Sequence, residues 1–98
     1  MFLVLLRFGE NKHTASDHLA GHNAWIDQGF ADGVFLLVGS IQQASGGAVL
    51  AAGVSREELE HRVDNDPFVA EGVVTAEIVE IEPGRADDRL SFLLSGQG

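Results

Sequence analysis

Apolar residues fall in short blocks divided by glycine-rich or acidic turns. The block Phe2-Leu3-Val4-Leu5-Leu6-Arg7-Phe8 ends at Gly9-Glu10-Asn11; its length and its stop predict a buried strand. Residues 15–30 read as a helix, because Ala15, His18, Leu19, His22, Trp25, Ile26 and Phe30 share an arc of roughly 140° at about 100° per residue. Thr14 or Ser16 is placed to cap its start, Asp17 suits the positive end of its dipole, and Gly29 stands where it can help end the helix. Residues 34–38 form a second apolar run, closed or bent by Gly39-Ser40, and residues 42–47 have turn chemistry. Residues 48–52 read as a third strand, hairpin-paired with the second.

Ser55-Arg56-Glu57-Glu58 has the capping-box spacing, a serine with a glutamate three residues on. It predicts a helix over residues 56–64, with Leu59 and Val63 facing inward. Asp66 precedes Pro67, which disfavours helical geometry at Asp66 and places it in extended backbone at a junction. Residues 68–72 fit one helical turn, and residues 73–81 alternate as a last strand, with Val73, Thr75, Glu77, Val79 and Ile81 on one face. The order β-α-β-β-α-β predicts an α+β, ferredoxin-like antiparallel sheet with both helices on one face. Residues 1–82 are expected to form the domain. The tail over residues 83–98, with Leu90, Phe92, Leu93 and Leu94, is expected to dock on its own or a partner subunit.

The first three strands are apolar on both sides, whereas a sheet with one wet face alternates. About eight to ten apolar side chains, at ~1.5–3 kcal/mol each for full burial, therefore call for a cover on the second face. A homodimer packed sheet to sheet is the expected answer, the alternative being a curled sheet covered by the tail.

Composition narrows the partners. Asp plus Glu is 15 against 6 Lys plus Arg, a formal charge of −9, which counts against nucleic acid and anionic membranes as partners. The opening apolar run is too short for a membrane span or a signal peptide. The absence of cysteine removes thiolate metal sites, cysteine nucleophiles and disulfides, and fits a cytoplasmic setting.

Two residues stand out as candidates for chemistry. His22 lies within the apolar arc of the first helix, where its ring nitrogens need partners away from water. It is either a core histidine bonded to a backbone carbonyl or a proton-transfer group. Asp66, beside proline, is either a local cap or a carboxylate aimed inward. Brought together, they would form a pair in which the acid fixes the imidazole tautomer and raises its basicity; spacing alone does not show that they meet. Arg7, His18, Trp25, Ser40 and Phe68 are the candidate substrate contacts. His18 and His22 have the i, i+4 spacing of a metal chelate. No glutamate follows the first histidine, and Asp66 is the available third ligand, so no metal and no other cofactor is expected. His13 and His61 read as solvated.

In order along the chain, the opening strand, His22 followed by Trp25-Ile26, Gly39-Ser40, Gly46-Gly47, Ser55-Arg56-Glu57-Glu58-Leu59 and Asp66-Pro67-Phe68 resemble the YciI-like proteins (YCII-related domain). The resemblance implies a dimeric α+β barrel with a pocket centred on His22 and Asp66. Proteins with this kind of barrel include a dehydrochlorinase and muconolactone isomerases. The chain departs from the family in having Gly39-Ser40 where Gly-Pro is usual, and His18 near the place of a frequent arginine. The expected function is a cofactor-free acid–base enzyme, an isomerase or elimination lyase using the His–Asp pair on a small metabolite. The alternative is a non-catalytic module that binds a small ligand on the same barrel. A third reading, a cofactor-independent oxygenase, needs room for a polycyclic substrate.

Overall fold

The computed structural model describes residues 1–95; the last residues of the expected tail, 96–98, lie outside the described residues. Strand β1 (Phe2–Phe8) leads through a short turn (Lys12–Thr14) into helix α1 (Ala15–Ala31). Strands β2 (Phe35–Ile41) and β3 (Gly46–Ala51) form a hairpin. Helix α2 (Arg56–Asp64) and the single turn α3 (Pro67–Ala70) precede β4 (Val74–Glu80), and a further turn, α4 (Phe92–Ser95), lies in the tail. The four strands are antiparallel in the order β2-β3-β1-β4, the ferredoxin-like arrangement that the element order predicts.

Alternation along the strands decides which side meets the helices. Phe2, Val4 and Leu6 of β1, Phe35, Val49 and Ala51 of the hairpin and Val74 of β4 are buried with Leu59, Val63 and Phe68 from the second half of the chain. The opposite face carries Leu3, Leu5, Leu50 and Leu37, of which Leu37 is 63% exposed. Arg7 also stands on that face, its guanidinium donating to Glu77 of β4 at 2.7 Å.

Several local expectations are corrected. Neither Thr14 nor Ser16 caps α1 through its side chain. The turn at Lys12–Thr14 runs straight into the helix, and the Thr14 hydroxyl donates to the Asn11 carbonyl instead. Gly39-Ser40 does not end β2, because these residues go on pairing with Ala48 and Gly47. The turn contracts to Gln42–Ala44 and Ser45, with Gln43 in the left-handed region at φ 68°, so Gly46 and Gly47 belong to β3. Val73 precedes β4 and is fully buried rather than sharing the face of Thr75. On α1, Leu19 and Phe30 are exposed at the margin of the arc, and Gly29 is the residue buried deepest.

That last correction has a packing cause. A Cβ on Gly29 would stand 2.0 Å from Cδ2 of Phe35, so the glycine serves helix-to-sheet contact rather than helix termination. The end of α1 is tied to α2 by Arg62. Its guanidinium pairs with Asp32 at 3.0 Å, and its carbonyl accepts from Trp25 Nε1 at 2.9 Å. The Gln28 amide, then Arg62, hold the Asp32 carboxyl below its usual range. Helix α2 keeps its predicted bounds because Ser55 Oγ accepts from the Glu58 amide.

Gly29→Ala is expected to lower stability by about 1–3 kcal/mol through overpacking against Phe35. Urea unfolding measures it, and an unchanged midpoint would show that the ring moves aside freely.

Candidate active site

Asp66 is fully buried, and its position follows from its neighbour. Pro67 holds it in extended backbone at φ −63°, ψ 124°, as the cap of α3. Its Oδ1 accepts from the Phe68 amide at 3.0 Å. The same oxygen lies 2.8 Å from Nδ1 of His22 on α1. The local capping role and the contact with histidine are therefore both real, carried by one atom. Oδ2 is buried with no hydrogen-bond partner among the described residues, so Oδ1 carries both contacts of the carboxyl group.

Gly21 lies at the helix–turn contact beside the pair. A Cβ there would stand 3.1 Å from Cγ of Pro67, so α1 and α3 approach closely one residue from His22. The imidazole is also fixed by aromatic rings. Phe68 stacks on it with centroids 3.9 Å apart and planes 4° apart, and Trp25 lies 6.0 Å away. With Asp66 as carboxylate accepting from Nδ1–H, the lone pair of the neutral ring sits on Nε2. Nε2 has no hydrogen-bond partner among the described residues, and the His22 side chain keeps 13% of its surface exposed.

His22 lines a cavity of about 410 Å³ between α1 and the sheet. Leu6, Ile26, Val49 and Phe68 supply apolar walls, and Asn23 and Ser40 are its other polar side chains. A residue model of the YCII-related domain matches positions 1–83. The chain belongs to the YCII-related domain family. Its fold is similar to that of 5-chloro-2-hydroxyhydroquinone dehydrochlorinase from Burkholderia phenoliruptrix AC1100, solved in complex with 2,5-dihydroxybenzoquinone. The two share a TM-score of 0.69 and 19% identity, over 90% of this chain and 100% of that one. No curated protein matches the chain.

Among the sequence candidates of this YCII-related domain, the structure brings His22, Asp66, Phe68 and Trp25 together and sets Ser40 on the cavity wall. It does not bring Arg7 to them, since Arg7 is on the other face of the sheet with Glu77. His18 is half-buried one turn before His22 and is not part of the cavity lining. Among the described residues no three His, Asp or Glu side chains stand close enough to hold a metal ion. Asn23 and Gly21 are absent from the sequence candidates. Asn23 falls just beyond the apolar arc at helical spacing. Gly21 gave one faint signal, a residue without a side chain directly before the histidine.

Asp66→Ala leaves Nδ1 of His22 and the Phe68 amide without their acceptor, and is expected to cost about 1–3 kcal/mol. Asp66→Asn keeps an acceptor for the amide and removes the charge that selects the tautomer. Nitrogen-15 NMR of the imidazole is expected to show Nδ1–H in the native chain and a mixed tautomer in the asparagine variant.

Proposed function

We propose that the protein is an acid–base enzyme of the isomerase or elimination type acting on a small metabolite, with no cofactor taking part. The observation that carries this is the 2.8 Å contact of His22 Nδ1 with a fully buried Asp66, at the wall of a cavity. Asp66 orients the ring and balances the charge that forms on it. Nε2 takes a proton from substrate; the electrons of the broken C–H bond either form a double bond as a leaving group departs with its electron pair, the imidazolium then passing its proton to water, or shift a double bond, the imidazolium then returning its proton to another substrate atom. The dehydrochlorinase activity named for the structural neighbour is of the elimination type, which supports this class. Phe68 and Trp25 hold the imidazole, and Ser40 contacts the substrate. His18 stands behind them and Arg7 takes no part. The alternative, a module that binds its ligand unchanged, requires no proton acceptor at His22.

We also propose that a second copy covers the open sheet face. Leu3, Leu5, Leu37 and Leu50 lie there with Val79, and Val79 and Ile81 are 37% and 38% exposed. Patches of this kind mark association surfaces.

His22→Ala and Asp66→Asn are each expected to reduce turnover by about 10²–10⁴-fold with the fold retained. Normal turnover in both variants would refute the acid–base assignment, and recovery of an unconverted native ligand would favour the binding module. Light scattering at micromolar concentration is expected to give twice the 10.4 kDa chain mass, and Leu37→Glu to halve it. A native mass of one chain would refute the dimer.

A further inference from the structure

Small residues of the β2–β3 hairpin, Gly39, Ser40, Gly46, Gly47 and Ala48, line the cavity beside His22. Register places Ser40, Gly47, Leu6 and Ala76 side by side across β2, β3, β1 and β4, on the side facing the helices. The neighbouring row is Val38, Val49, Val4 and Ile78, large side chains that fill the layer. Gly47 is the low point. A Cβ built on it meets only the Gly39 carbonyl oxygen, at 3.4 Å, which is ordinary contact. Its φ is not in the left-handed region. Neither backbone geometry nor a close neighbour requires glycine there, and what the missing side chain leaves is room.

The walls limit what can fill that room. Of the lining side chains only His22, Asn23 and Ser40 are polar, and no Asp, Glu, Lys or Arg takes part. Lys12 lies 4.7 Å over the ring of Phe8 and is not among the lining residues. A protonated His22 is balanced by Asp66, so the pair offers no net positive charge to an anion. An ionic group lying against these walls would give up part of its hydration without gaining a counter-ion. The volume of about 410 Å³ lies near the lower end of the ~300–1,000 Å³ range of small-ligand sites, which suits a single ring rather than a polycyclic molecule.

We propose that Gly47 is a specificity-determining residue, and that the cavity takes an uncharged single-ring substrate bearing hydroxyl or carbonyl oxygens. The ring lies over Gly47, and His22, Ser40 and Asn23 reach its oxygens. This rests on the reading of His22 as the acid–base group and adds the substrate class to it.

The test is anaerobic titration of the full chain with hydroquinone and with gentisate, the same ring carrying a carboxylate, followed by NMR of the His22 imidazole. Hydroquinone is expected to bind at least about tenfold more tightly than gentisate. Gly47→Val is expected to weaken hydroquinone by at least about tenfold, and Gly47→Ala by less, with the Nδ1–H signal of His22 unchanged in both. Equal or tighter binding of gentisate, no binding of hydroquinone, or unaltered affinity in both Gly47 variants would overturn the proposal. Because binding is read rather than turnover, these outcomes are independent of the catalytic reading, which falls if His22→Ala and Asp66→Asn both keep normal turnover.

Discussion

A carboxylate withdrawn from water is the constraint around which this molecule is arranged. Asp66 has no exposed surface, and one of its oxygens has no donor among the described residues. Burial of that kind is unfavourable unless the group is met by hydrogen bonds. The Phe68 amide and the His22 imidazole meet it at a single oxygen. Everything that holds His22 in place, from the stacked Phe68 ring to the glycine facing Pro67, therefore also secures the buried acid.

The layers follow from the same economy of space. Two glycines set how closely helix α1 approaches its surroundings, Gly29 against Phe35 and Gly21 against Pro67. Between those contacts the helix spans a shallow trough over Ser40 and Gly47. The site is thus a gap in an otherwise close-packed interlayer, bounded by one ionisable pair and a few hydroxyl and amide groups. That composition supports proton transfer in a mostly apolar setting, where a proton moved between neutral partners creates charges that feel one another strongly.

Local signals were legible wherever the cause was local. The serine cap and its glutamate defined α2 to the residue, and proline dictated the extended backbone at Asp66. Alternation and block length placed the strands, and their order implied the sheet. Features set by contacts between distant segments were not legible. The meeting of His22 and Asp66 joins residues 44 apart through helix packing that no periodicity reveals. Arg7 read as either a ligand contact or an ion-pair residue; register places it opposite Thr75 on the far face, where it pairs with the neighbouring Glu77. Gly39-Ser40 read as an ending because glycine usually weakens a strand, yet pairing with β3 carries the strand through it.

Strand β1 is central in the sheet, and both strands beside it come much later in the chain, with Phe2 opposite Ala51 on one side and Glu80 on the other. Strand β1 is thus made well before either of its neighbours. Only the β2–β3 hairpin can close early, from nearby residues. Contacts of such long range slow folding relative to helical proteins of similar size. Until β3 and β4 are made, β1 is an unpaired, strongly apolar segment of the kind that chaperones for extended hydrophobic chains recognise.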